Sequence, residues 1–183
     1  GLNFEEQKRL ARSRDSQPVE LNATMDASMD IAAEQIVTHN IVARLEGSTR
    51  PDETVLYGAH WDHIGIDVGD GVNGDRIFNG AVDNASGTVA IVEIARRFGA
   101  GPRPERSIVM VAFTGEESGL LGSEYYAANP LYPLETTVAG FNIDAGNVYG
   151  RKNKLNITGY GHSDLDDRLA SVATAQGRGI VPD

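Results

Sequence analysis

The sequence contains no cysteine among its 183 residues. Disulfides and thiolate zinc sites are therefore excluded, and any metal must be held by His, Asp or Glu. No apolar run approaches the roughly 20 residues that cross a bilayer as a helix. Positive charge is scarce: 16 Lys and Arg stand against 26 Asp and Glu, a formal net charge of -10. That balance argues against nucleic acid or an anionic membrane as the main partner. A Gly-x-Ser-x-Gly elbow is also missing, and Ser118 follows two glutamates instead, which disfavours a serine hydrolase.

What is there reads as an ordinary globular chain, long enough for one domain over residues 1–183 with a sizeable core. Asn3 followed by Glu6 marks a helix start. From Val19 to Ile31 apolar and polar residues alternate, which predicts a half-buried strand. Further strands are predicted over 40–45, 54–59, 107–113, 138–143 and 154–158, and helices over 85–98, 120–128 and 163–176. Gly99 is expected to close the first of these helices, and Leu165, Leu169 and Val172 to face inward on the last. Strands alternating with helices indicate an α/β fold, a three-layer α/β/α sandwich whose central sheet is mixed and mostly parallel. The chain stops at Gly179-Ile-Val-Pro-Asp183, where a return to the sheet is expected, so the last elements are predicted to be missing.

Four clusters lie where a buried strand runs out, the edge at which open α/β sheets bind ligands. His60-Trp61-Asp62-His63 puts an imidazole and a carboxylate two apart, so both point the same way on extended chain. An Asp beside a ligand His can accept its other ring N–H, yet the same residues also suit a polar strand end. Asp83, between Gly80 and Gly87, is either a helix-start carboxylate or one that bridges two ions. Glu116 and Glu117 are adjacent, and such a pair is either solvated or divides metal binding from proton transfer. Asp144 ends another strand and could equally form a turn. Hard oxygen donors with imidazole suit zinc, cobalt or manganese. The acidic loop Asp67–Asp75 lacks the spacing of a twelve-residue calcium loop. Asn22, Asn84 and Asn156 match the glycosylation pattern without discriminating among these readings.

His60-Trp-Asp62, Gly80-Ala-Val-Asp83-Asn-Ala-Ser-Gly87, Gly115-Glu116-Glu117-Ser-Gly-Leu-Leu-Gly-Ser123 and Asn142-Ile-Asp144 occur in that order. With them the chain resembles the co-catalytic di-zinc aminopeptidases and their glutamate carboxypeptidase relatives, from about residue 40 to 176. The N-terminal stretch also resembles members that carry an inserted protease-associated domain. The resemblance implies zinc-dependent removal of N-terminal amino acids from peptides, with two zinc ions per complete domain. It makes His60 and Asp144 ligands of one zinc, Asp83 the bridge and Glu117 a ligand of the other. Glu116 becomes the general base and Asp62 the partner of His60. A further His ligand near the end of the domain is implied, and His39, His63 and His162 do not stand there. One zinc or partial loading, with activity lost, is therefore expected of this chain. A secreted or periplasmic location and self-association through an open sheet edge complete the expectation. Two other readings accommodate the same residues: a non-catalytic metal-binding fragment, and a single-zinc transferase resembling glutaminyl cyclase.

Overall fold

The computed structural model describes residues 3–31 and 34–182. They fall into two compact units, Gly1–Ile36 and Val37–Asp183. In the first, helix α1 (Phe4–Leu10) starts as expected, with the Asn3 side chain accepting from the Glu6 N–H at 3.2 Å. The strand anticipated over Val19–Ile31 is not formed: these residues carry no regular structure, and Met25, Met29 and Ile31 are 89, 77 and 82% exposed. Alternation supplies an apolar face, but a strand also needs a neighbour for its N–H and C=O groups, and none of the described strands pairs here.

The second unit is built on a four-stranded sheet in the order β1-β5-β2-β6. Its strands are β1 (Ile41–Leu45), β2 (Arg50–His60), β5 (Arg106–Phe113) and β6 (Thr137–Asn142). β1 runs antiparallel to β5, whereas β5, β2 and β6 are mutually parallel, giving the expected mixed sheet. β5 is apolar at every position from Ile108 to Phe113, as a strand covered on both faces must be. Its Ile108 and Met110 pack with Ala59 against Ile91, Ile94, Ala95 and Phe98 of α2 (Ala85–Ala100). Those four α2 positions repeat as one stripe of a helix. Val109 and Val111 point to the other face and pack on Tyr126 of α3 (Leu121–Ala128). The alternation along one strand thus separates two cores, and the three layers follow.

Several boundaries differ from expectation. α2 continues through Gly99 and is capped at Gly101, because the Gly101 N–H still reaches the Arg97 carbonyl. Within 65–80, β3 (Gly65–Ile66) and β4 (Ile77–Phe78) pair as a short hairpin. On α4 (Leu165–Ala175) Leu165 and Leu169 are half-buried as expected, whereas the buried residue of the third turn is Ala173 and Val172 is 57% exposed. The chain does return to a strand after α4. β8 (Gly179–Pro182) pairs in parallel with β7 (Lys154–Ile157) as a separate two-stranded sheet.

Candidate metal centre

Parallel pairing places three strand ends side by side. His60 of β2 lies opposite Phe113 of β5, and Gly58 opposite Asn142 of β6. The segments that leave these ends carry His60–His63, Glu116–Glu117 and Asp144. The fourth segment enters at the start of α2. Asn84, only 2% exposed, caps that helix by accepting from the Gly87 N–H at 2.9 Å. The same amide donates to the Ile143 carbonyl (2.9 Å) and accepts from the Ala145 N–H (3.2 Å). One buried side chain therefore ties the loop bearing Asp83 to the loop bearing Asp144. The approach needs a glycine: a Cβ at residue 87 would lie 2.3 Å from Asn84 Oδ1 and 2.4 Å from the Ile143 oxygen. Ser86 adds a second tie, its Oγ accepting from the Gly146 N–H at 2.6 Å.

His60 is the centre of the cluster and is 2% exposed. Its Nδ1 is 3.0 Å from the Asp62 carbonyl oxygen, an acceptor that keeps the proton there and frees Nε2. Nε2 faces Asp83 Oδ1 at 3.0 Å and Asp144 Oδ1 at 3.2 Å. Asp62 was expected to use its carboxylate on His60. That carboxylate is 3.8 Å from Nδ1 and instead accepts from the N–H groups of Glu116 (3.1 Å) and Glu117 (3.4 Å). The turn after β2 brings its carbonyl, not its side chain, to the ring. Asp62 thereby supports both the imidazole and the glutamate pair.

His60, Asp83 and Asp144 offer donor atoms within 4.8 Å of one another, and so do His63, Asp83 and Glu117. Asp83 belongs to both groups, which is the placement of a carboxylate shared by two cations. Its Oδ1 is buried without a hydrogen-bond partner although it lies beside His60 Nε2. A buried oxygen left unpaired is costly, and a cation between these atoms would satisfy it. The residues therefore fit a metal. Glu116 belongs to neither group; its Oε2 is 4.0 Å from His60 Nε2.

The charges respond to this crowding. Burial draws the His60 imidazole down, but the Asp62 carbonyl and the Asp144 carboxylate, with Glu116 behind them, push it above its ordinary 6.5. Burial holds the Glu116 carboxyl above its ordinary 4.5; His60 opposes this, while Asp144, Glu117 and Asp62 add to it.

A model of peptidase family M28 matches residues 40–183. The chain belongs to this family. It is 41% identical over 104 residues to a probable zinc metalloprotease of Pyrenophora tritici-repentis, covering 57% of this chain and 23% of that protein. The crystal structure of a zinc aminopeptidase from Bacillus subtilis superposes with a TM-score of 0.62 and 26% identity, covering 78% of this chain and 34% of that one. Porphyromonas gingivalis glutaminyl cyclase gives a TM-score of 0.58 and 26% identity, covering 78% of this chain and 53% of that one. The chain spans about a quarter of the fungal relative's length and a third of the Bacillus structure.

Every site residue expected from this M28 sequence lies in one cluster: His60, Asp62, Asp83, Glu116, Glu117 and Asp144. Sequence reasoning set His63 aside as a ligand, and its Nδ1 is 2.6 Å from Glu117 Oε1. It passed over Asn84, read there only as part of a glycosylation pattern. The signal for Asn84 was its place directly before a helix, three residues from Gly87.

Proposed function

We propose that this chain carries the catalytic centre of a zinc aminopeptidase that removes N-terminal residues from peptides. One observation carries the reading: two donor groups share Asp83 and leave Glu116 outside both. Zinc, when bound, lowers the pKa of water and polarises a carbonyl oxygen. His60, Asp83 and Asp144 would hold one ion, with Asp83 and Glu117 contributing to the second. Glu116 is then free to take a proton from the attacking water and return it to the leaving amine. Its raised affinity for protons suits both halves of that cycle. Asp62 keeps Glu116 in range by holding its backbone N–H. A single-ion transferase of the glutaminyl cyclase kind would leave the second donor group without a role, which favours the peptidase.

The test compares zinc-loaded protein with its Glu116→Gln form on aminoacyl p-nitroanilides, with bound zinc measured on the same samples. The expected outcome is equal zinc and a rate reduced roughly 10²–10⁴-fold, the usual worth of positioned proton transfer. Undiminished turnover in Glu116→Gln removes Glu116 as the base. A zinc-loaded wild type without turnover would leave a metal-binding domain that hydrolyses nothing.

A further inference from the structure

We infer that the hollow between Trp61 and the β3–β4 hairpin takes the side chain of the peptide's second residue, the one whose amine leaves, and selects an apolar or aromatic residue there. The inference rests on the peptidase reading above and adds to it a class of substrate. The hollow measures about 450 Å³, within the range of small-molecule sites. Four large apolar side chains line it: Trp61, Ile66, Ile77 and Phe78. They are 46, 65, 59 and 42% exposed, although apolar groups of this size gain by burial. Exposed apolar surface gathered in one concavity, rather than scattered, marks a place that binds.

The hollow adjoins the metal centre, because Asp62 and His63 line it as well. Both touch the glutamate pair: Asp62 accepts from the N–H groups of Glu116 and Glu117, and His63 is bonded to Glu117. Glu116 returns the proton to the leaving nitrogen, so that nitrogen lies on this side of the cluster. The side chain of the residue that carries it branches from the adjacent carbon. The hollow is also built before any peptide arrives. The Trp61 indole N–H donates to the His39 carbonyl at 3.2 Å, and its backbone N–H to the Phe113 carbonyl at 2.9 Å. With its polar edge satisfied, the exposed part of the ring is apolar. Ile66 and Ile77 are opposed across the hairpin, and Phe78 meets the His63 ring with centroids 6.4 Å apart. Among the described residues no Lys or Arg lines the hollow, His63 is already paired, and the Asp62 carboxylate repels an acidic side chain.

The experiment uses the zinc-loaded full chain and the C-terminal amides of Leu-Phe, Leu-Gly and Leu-Asp, which differ only in the second residue. Leucine release should show a kcat/KM about tenfold higher for Leu-Phe than for Leu-Gly, and lowest for Leu-Asp. Phe78→Ala should lower the Leu-Phe value roughly tenfold and the Leu-Gly value less than about twofold. Ile77→Lys should raise the ratio of Leu-Asp to Leu-Phe roughly tenfold, a gain that misfolding does not produce. Binding is read separately from turnover, since Trp61 is the only tryptophan of the chain. In Glu116→Gln protein its emission should move to shorter wavelength with the Leu-Phe amide and stay in place with the Leu-Gly amide. Equal turnover of Leu-Phe and Leu-Gly, an unmoved Trp61 emission, or an unchanged ratio in Ile77→Lys would each overturn the inference. A Trp61 shift with Leu-Phe but no turnover retires the peptidase reading and keeps the hollow as a site for apolar peptide side chains. Turnover that ignores the second residue does the reverse.

Discussion

Replacing Asn84 with alanine should destabilise the sheet unit by about 3 kcal/mol and loosen the metal centre with it. The magnitude follows from what the amide touches. Losing the helix cap on the Gly87 N–H costs about 1 kcal/mol. The Ala145 N–H and the Ile143 carbonyl lose their partner as well, at about 1 kcal/mol each or more when no water replaces it. Asn84 is 2% exposed, so water has little access. The side-chain volume removed adds a smaller packing loss. For a unit of this size ~3 kcal/mol corresponds to a melting temperature lower by roughly 6–12 °C. Asn84→Asp is the informative companion. Its carboxylate can still accept from both N–H groups but faces the Ile143 carbonyl without a proton, so an intermediate loss is expected. The assay is urea unfolding of metal-free protein followed by circular dichroism, with zinc affinity measured on the same variants. Zinc should bind more weakly to Asn84→Ala, since Asp83 and Asp144 would no longer be tied through one side chain. A change in stability below about 0.5 kcal/mol with unaltered zinc affinity would refute the claim that this amide joins the two loops.

Asp62→Asn should cost about 1–3 kcal/mol, because its amide turns one donor toward the N–H groups of Glu116 and Glu117 that now share a carboxylate; equal urea midpoints would show that those bonds contribute nothing. Metal-free protein should lose stability as pH rises above the ordinary imidazole value of 6.5. The folded His60 pKa lies above its ordinary 6.5, so its stabilisation is complete below that value and disappears as pH rises through the folded one. The raised Glu116 pKa acts in the same sense from lower pH. Urea midpoints in chelator across this range report the slope, and a His60→Asn variant with the same slope would contradict the assignment. Gly87→Ala should destabilise by about 1–3 kcal/mol, since its Cβ would lie 2.4 Å from the Ile143 carbonyl oxygen and force the helix start away from β6; thermal melts decide it.

Much of the fold was legible because two periods suffice for it. The short, β-branched apolar run of β5 reads as a strand covered on both sides, and the 91, 94, 95, 98 stripe of α2 supplies one of the covers. The alternation at 19–31 is equally regular and forms nothing, since periodicity describes a face and not the neighbour that must pair with it. The return strand β8 escaped notice for a related reason: Gly179-Ile-Val-Pro carries too few residues for a pattern, and its pairing with β7 is a tertiary fact.

The site divides along the same line. Residue types and their positions after strands brought His60, Asp62, Asp83, Glu116, Glu117 and Asp144 forward as candidates, and the resemblance to the di-zinc aminopeptidases selected them over the polar strand-end, helix-start and turn readings. Which atoms do what was decided only by the packing. The turn after β2 sends the Asp62 carbonyl to His60 and its carboxylate to the glutamate backbone. The hairpin and Gly80 bring His63 to Glu117. Asn84 joins loops 59 residues apart in the chain. Local sequence sets which way neighbouring side chains tend to point. Distances between segments remote in sequence depend on sheet register and on where side chains are small enough to let backbones meet.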